Sequence, residues 1–229
     1  MFLRTCLFLT CLPTVAGAEP TTPFRPLEKS GEEWSALFCG SAQDKLKRIT
    51  SSGHITTSSG STVSLALRKT EFLQWVWVQE VEGQLLVAYE VTDRTADGSS
   101  GGVCRLNASV SRRLWCTRFP AFNVVPAMGK SGQIYLSGIG TVAELNARSG
   151  RYRWKVSGLY EKSPAFNSFL TPVDTGDNVT FYATAGTQGS PVWSVQVDRK
   201  RMKATSVKAT AGAPPEAVEI RTTAGTCSQ

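Results

Sequence analysis

The sequence predicts an all-β domain made of repeated units, and three observations lead to that prediction. Apolar and polar residues alternate along most of the chain, which is the pattern of half-buried strands. Clusters of Gly, Ser, Asn and Asp separate these runs and supply turns. One stretch of the sequence also recurs at a fixed spacing. The chain has 229 residues, of which 41% are hydrophobic and 19% charged, and this balance excludes a collagen-like, coiled-coil or wholly disordered protein.

Residues 1–18 are predicted to be a secretory signal peptide. Arg4 is followed by a short apolar run at 5–12, and residues 16–18 have the small-x-small sequence Ala-Gly-Ala that signal peptidases recognise. The apolar run is shorter than the ~20 residues that a transmembrane helix needs. We therefore expect an exported, periplasmic protein whose single mature domain spans residues 19–229.

The mature chain begins with a Pro- and Thr-rich segment that favours an extended arm at 19–26. Ser30 and Glu33 match a capping box, and Trp34, Leu37 and Phe38 follow at helical spacing, so one short N-terminal helix is predicted. Beyond it, alternation predicts strands around residues 55, 63–67, 72–78, 85–91, 134–136, 142–145, 179–182 and 192–197.

Four cysteines remain after the signal peptide: Cys39, Cys104, Cys116 and Cys227. An even number in an oxidising compartment indicates disulfides, and four cysteines allow three pairings. We favour Cys104–Cys116, because both lie in one predicted hairpin, which leaves Cys39–Cys227. A zinc site is disfavoured because no Cys or His pair has metal-ligand spacing.

The most informative feature is an internal repeat. Residues 103–115 align with 142–154 at a spacing of 39, and 53–75 align with 132–154 at a spacing of 79. A weaker copy lies at 192–202. A period near 40 with short strands indicates four strands per unit, the size of a propeller blade. We therefore predict a small or incomplete β-propeller of about four or five four-stranded blades.

The best copy, Gly132 to Trp154, resembles the repeat of the quinoprotein-dehydrogenase-like β-propellers. It has a strand ending Ala-Glu-Leu-Asn-Ala, a turn near Gly150 and a strand that ends in Trp. The resemblance is good over residues 103–155, fair over 53–78 and poor over 176–207. In that family the Trp docks between neighbouring blades, so the resemblance implies that three tryptophans are buried at equivalent places: Trp75, Trp115 and Trp154.

Members of that family with enzymatic activity bind pyrroloquinoline quinone and calcium, but this chain has no adjacent Cys pair and no evident catalytic Asp in a cofactor pocket. Its one histidine, His54, has no nucleophile elbow beside it. The oxygen-rich segments 93–98 and 174–178 lack EF-hand spacing and favour hairpin turns. The sequence therefore predicts a protein that is not an enzyme and that needs neither a cofactor nor a metal.

Basic residues exceed acidic ones by 25 to 18, for a net charge of +7. Once the copies are aligned, basic residues recur at one hairpin: Arg68 and Lys69, Arg112 and Arg113, Arg148 and Arg151, and Arg199, Lys200 and Arg201. Equivalent hairpins of a propeller emerge on one face, so the alignment predicts a basic face that attracts an acidic protein partner. The alternative is that these cations lie at the hairpin tips only because the tips are exposed to solvent. A nucleic acid partner is disfavoured, because no basic–aromatic platform or groove-reading helix is present.

Together these features predict an exported, non-enzymatic binding protein, such as an inhibitor or immunity protein that neutralises an exported toxin enzyme. Two alternatives stay open: an envelope scaffold of the outer-membrane assembly type, and a quinoprotein-like enzyme with an unrecognised site. The oligomeric state is left open.

Overall fold

The computed structural model describes residues 19–35, 46–95, 98–184 and 191–220. Strands dominate these ranges, and one 3-10 helix lies at Pro164–Asn167. The strands are β1 (Glu19–Pro20), β2 (Thr22–Pro23), β3 (Arg25–Pro26), β4 (Glu28–Ser30), β5 (Glu33–Ser35), β6 (Arg48–Thr50), β7 (His54–Thr56), β8 (Thr62–Ser64), β9 (Glu71–Val81), β10 (Gln84–Asp93), β11 (Ser99–Leu106), β12 (Arg113–Phe119), β13 (Val125–Met128), β14 (Gln133–Gly138), β15 (Thr141–Asn146), β16 (Tyr152–Val156), β17 (Ser168–Phe169), β18 (Val173–Asp174), β19 (Asn178–Thr184), β20 (Val192–Asp198) and β21 (Lys203–Thr210).

The strands form four antiparallel sheets that follow one another along the chain. Sheet 1 has the order β4-β5-β6-β7-β8, and sheet 2 the order β12-β11-β10-β9-β3. Sheet 3 has the order β16-β15-β14-β13-β2, and sheet 4 the order β1-β18-β19-β20-β21 with β17 paired to β19. Sheets 2, 3 and 4 are therefore up-and-down meanders, each extended by a short strand from the N-terminal segment. This is the organisation of propeller blades, and it confirms the predicted all-β, propeller-like fold.

Burial shows how the four sheets are stacked. In sheet 3, every residue of β13 and β14 is buried, so that sheet is covered on both faces. In β19 of sheet 4 only alternate residues are buried, namely Val179, Phe181 and Ala183. In β7 of sheet 1, Ile55 is buried between the exposed His54 and the half-buried Thr56. One buried cluster joins sheets 2, 3 and 4, and a second joins sheets 1 and 2. The two end sheets thus turn a polar face away from the stack, as terminal repeats do.

The N-terminal segment at 19–27, here called the strap, runs along sheets 4, 3 and 2 and leads into sheet 1. Its burial has a period of three: Thr21, Phe24 and Leu27 are buried, and the residues between them are exposed or half-buried. A period of three is that of the polyproline II helix, which prolines at 20, 23 and 26 favour. The extended arm predicted from composition therefore places every third side chain inside the protein.

Each buried strap residue lies where the strap passes from one sheet to the next. Three hydrogen bonds fix the strap to sheets 4, 3 and 2 in turn. Thr21 Oγ1 donates to the Pro172 carbonyl oxygen at 2.6 Å. The backbone amides of Phe24 and Leu27 donate to the carbonyl oxygens of Pro126 at 3.2 Å and Val76 at 2.9 Å. Strands β1, β2 and β3 pair with β18, β13 and β9. The strap therefore joins parts of the chain that are more than 100 residues apart in sequence.

The predicted N-terminal helix is wrong. Strands β4 and β5 form a hairpin there, and Gly31 at its turn has φ +63°. Trp34 pairs with Ile49 across sheet 1 and is fully buried in the core between sheets 1 and 2. Residues 36–45, which include the end of the predicted helix, lie outside the described residues. The capping pattern was a local signal, and burial of the tryptophan in a sheet outweighed it.

The repeat appears in the structure as a shared irregularity. Pairing between the last two strands of sheets 2, 3 and 4 shifts at Arg105/Leu106, Glu144/Leu145 and Gln196/Val197. The weak copy at 192–202 therefore has the same register as the stronger ones. No helix within the four described ranges is long and apolar enough to cross a membrane.

Candidate functional site

Three hairpins at one end of the stack, at residues 107–112, 147–151 and 199–202, have a related construction in which an Asn or Asp side chain accepts backbone hydrogen bonds. In the first, Asn107 Oδ1 accepts hydrogen bonds from two backbone amides at 2.9 Å. Asn146 and Asp198 also accept two backbone bonds each, at 2.8–3.0 Å, but from the residues two and three positions further on, whereas Asn107 bonds Ser111 and Arg112. These bonds from the backbone lower the pKa of Asp198. Because connections in a meander alternate between its two ends, the three hairpins lie at one end of their sheets, here called the upper face.

The upper face carries exposed cations on each hairpin. Arg112, Arg148 and Arg151 are exposed, and no ion pair joins any of the three to another described residue. Lys200 pairs with Asp177 at 2.9 Å, where both side chains are mostly exposed, and that contact raises the pKa of Lys200. Arg201 is 3.7 Å from Asp198 and 71% exposed. Exposed pairs of this kind are weak, so the upper face remains basic.

Arg199 was predicted to belong to this exposed set, and the structure places it elsewhere. Its side chain is only 16% exposed, with Nε 3.2 Å from Glu144 Oε2 and Nη1 3.5 Å from Asp174 Oδ2. Glu144 is buried in sheet 3 and also accepts bonds from Trp154 Nε1 and Arg153 Nη1, each at 3.0 Å. Arg199 therefore holds sheet 4 against sheet 3.

Tyr135 extends this buried network from the sheet 3 side. Its hydroxyl donates to Asp174 Oδ2 at 2.6 Å, and burial together with that carboxylate raises the pKa of Tyr135 above its ordinary value. The phenol therefore stays protonated and keeps donating. Every charge in the network has a partner, which is what a buried ionic group requires to be tolerated.

Arg68 and Lys69 do not belong to the upper face. They are exposed, but they lie in the connection between β8 and β9, three connections before the hairpin at 107–112. Connections of a meander alternate, so these two cations lie at the opposite end of the stack. Arg113, by contrast, stays near the upper face and donates from Nη1 to the Ser64 carbonyl oxygen of sheet 1 at 3.1 Å.

The three tryptophans are not equivalent. Trp115 and Trp154 lie in the last strands of sheets 2 and 3, opposite Arg105 and Glu144. Trp154 is 5% exposed and meets Phe181 of sheet 4 edge to face at 5.9 Å. Trp115 is half-buried, and its Nε1 donates to the Arg148 carbonyl oxygen of sheet 3 at 3.1 Å.

Trp75 lies in the first strand of sheet 2 and is 41% exposed, so the prediction that it is buried is wrong. The alignment at a spacing of 79 matched β7 and β8 to β14 and β15, and it then ran on into the next sheet.

A disulfide joins Cys104 and Cys116, which are directly opposite each other in β11 and β12, so this predicted pairing is confirmed. Cys39 and Cys227 lie outside the described residues. His54 is an exposed residue at the start of β7.

Two buried charged residues that anchor neighbouring sheets were not identified from the sequence. Arg105 is 5% exposed and donates to the Ala147 carbonyl oxygen of the next sheet at 2.8 Å. Glu144, at the aligned position 39 residues later, contacts Arg199 of the sheet that follows it. A charged residue at the same place in two copies, inside an otherwise apolar strand, was the available signal.

Comparison with known proteins identifies no family. No family model and no curated protein matches the chain. Among solved structures, the chain is similar to a GH43 β-xylosidase/α-arabinofuranosidase from a compost microbial metagenome, at 10% identity and a TM-score of 0.37. The similarity covers 86% of this chain and 81% of that one.

That structure is a glycosidase, and this finding overturns the expectation that the chain is not an enzyme. At a TM-score of 0.37, however, the similarity does not indicate which activity or substrate this chain has.

Proposed function

We propose that this protein is exported and binds an acidic protein partner through the upper face. The observation that carries the proposal is the set of exposed guanidinium groups of Arg112, Arg148 and Arg151, which form no ion pair with another described residue. Two neighbouring hairpins hold them, each with an Asn side chain that accepts backbone hydrogen bonds in the turn. A guanidinium group binds a carboxylate through two parallel hydrogen bonds, and several such groups on one face add their fields. A partner whose acidic residues cluster, such as an exported toxin enzyme that this protein inhibits, fits that chemistry.

The Cys104–Cys116 disulfide supports the exported location, because disulfides persist in oxidising compartments. We also propose that the chain is a member of the quinoprotein-dehydrogenase-like propellers, which the repeat residues at 103–115 and 142–154 support. In that family's scheme Trp115 and Trp154 are the residues that dock between blades.

The test compares two double variants with the same change in charge. Arg148→Glu/Arg151→Glu reverses two cations on the upper face, and Arg68→Glu/Lys69→Glu reverses two at the opposite end. The probe is a fluorescently labelled deca-glutamate peptide, whose binding is followed by anisotropy between 10 and 300 mM salt, where the Debye length falls from ~30 Å to below ~10 Å.

We expect the upper-face variant to bind the peptide at least about tenfold more weakly than the control variant at low salt, because each charged hydrogen bond contributes about 1.5–3 kcal/mol. The difference should shrink as salt is added. Equal losses in the two double variants would mean that only net charge matters, and would remove the upper face from the mechanism.

A further inference from the structure

The outer face of sheet 4 contains a polar groove that none of the contacts described above uses. Its volume is about 680 Å³, within the range of about 300–1,000 Å³ for small-molecule sites. The floor consists of outward-facing residues of β19, β20 and β21, and one wall is the segment at 211–214. The groove lies on the face that the buried residues Val179, Phe181 and Val195 turn away from.

The floor is a grid of two cross-strand rows. In the first row, Thr180 lies opposite Gln196, and Gln196 lies opposite Ser206. In the second row, Tyr182 lies opposite Ser194, and Ser194 lies opposite Lys208. The six side chains thus offer four hydroxyls, one amide and one ammonium group on a single surface.

The second row has the shape of a trough. Ser194 is only 4% exposed, because it is the small residue between the longer side chains of Tyr182 and Lys208. Strands are about 4.8 Å apart, so the two flanking residues are separated at their backbones by about 10 Å. That width suits one flat ring lying over Ser194.

The polar groups of the floor are not used within the described part of the protein. Within those ranges the side chains of Thr180, Tyr182, Ser194, Gln196 and Ser206 have no hydrogen-bond partner. Burial raises the pKa of Tyr182, so its hydroxyl remains a donor at neutral pH. Among the described lining residues none carries a carboxylate, and Lys208 provides the only charge. The nearby carboxylate of Glu216 raises the pKa of Tyr182 further.

We propose that this groove binds a short acidic saccharide, with the sugar ring over Ser194 and its carboxylate at Lys208. Hydroxyl and amide groups both donate and accept, and so do the hydroxyls of a sugar. The ammonium group of Lys208, at the opposite end of the row from Tyr182, favours a ring that carries one negative charge. An apolar ligand over the floor would leave its hydroxyl and amide groups unpaired.

The binding test uses digalacturonate and its dimethyl ester as probes, with affinities measured by isothermal titration calorimetry on the whole mature protein. Methyl esterification keeps the rings and their hydroxyls and removes the charges. Lys208→Gln removes the ammonium group from the groove. The matched control is Lys203→Gln, which removes an exposed lysine from the same strand outside the groove.

We expect digalacturonate to bind the wild-type protein at least about fivefold more tightly than the ester, since a hydrogen bond between two charged groups is stronger than one to a neutral group. Lys208→Gln should abolish that preference, and Lys203→Gln should keep it. Absence of binding at 10 mM digalacturonate, or equal losses in the two lysine variants, would overturn the proposal. Triglutamate that binds as tightly as digalacturonate would also overturn it, because the groove would then recognise carboxylates without the sugar. This inference is independent of the upper face, since neither lysine lies in the three hairpins.

Discussion

The strap offers the sharpest test of how the stack is held together, through the single substitution Phe24→Ala. The Phe24 side chain is fully buried and belongs to the cluster that joins sheets 2, 3 and 4. Removing a buried Phe side chain loses its transfer free energy and leaves a cavity, which together cost about 3–5 kcal/mol. In a domain of this size 1 kcal/mol corresponds to about 2–4 °C in Tm, so we expect a loss of about 6–20 °C.

Arg25→Ala is the matched control, because Arg25 is the exposed neighbour in the same strap. Because contacts of an exposed charged side chain contribute at most about 1 kcal/mol, Arg25→Ala should change the free energy of unfolding by less than about 1 kcal/mol. Both variants would be compared with the wild-type protein in urea unfolding and thermal melts, with the disulfide kept intact.

If Phe24→Ala has the same Tm as Arg25→Ala and the wild-type protein, the Phe24 side chain does not stabilise the stack and the strap is not docked. A loss in Arg25→Ala as large as that in Phe24→Ala would refute the prediction as well, because the effect would come from the backbone of the strap and not from the buried ring.

Three further predictions concern the seams between sheets. Gly150→Ala should lower the free energy of unfolding, measured by urea titration, by at least about 1–3 kcal/mol. The reason is that Gly150 has φ +69° and an added Cβ would lie 2.5 Å from the Trp115 ring. The control, Gly176→Ala, has φ +81° with open space around it and should cost less. Glu144→Ala should cost about 3–5 kcal/mol, measured by chemical unfolding, since it leaves Arg199 Nε and the Trp154 indole N–H without an acceptor. Burial raises the pKa of Tyr152 to about 12, so the contribution of this phenol to stability is complete below pH 10 and is lost as pH rises towards 12. Tyr152→Phe should therefore lose less stability than the wild-type protein between pH 10 and 12, in unfolding curves recorded from pH 8 to 12.

The repeat is the part of the fold that could be predicted best. Asn107, Asn146 and Asp198 each bond the backbone of the hairpin that they begin, so a local requirement repeats at each copy. Such local requirements leave a recognisable residue type at a fixed position. Cys104 and Cys116 were paired correctly for the same reason, since a hairpin brings both of its strands together within a few residues.

The N-terminal region shows where local signals mislead. The residues from Ser30 to Trp34 match the start of a helix, yet they form a hairpin because Trp34 is buried against sheet 2. The strap shows the same dependence. Its prolines predict an extended segment, but the sheets that bury Thr21, Phe24 and Leu27 lie up to 151 residues further along the chain.

For the candidate site, too, some features follow from the sequence and others depend on the folded sheets. Alignment of the copies is enough to show that basic residues gather at the hairpins. Which of them can meet a partner depends on the folded sheets: Arg199 turns into the seam with sheet 3, while Arg148 and Arg151 stay exposed. The groove on sheet 4 also depends on the stack, since polar residues at alternate strand positions become a floor only when the other face is buried. The physical reason is that turns and alternation are set by neighbouring residues, whereas burial and ion pairing are set by sheets that meet only after folding.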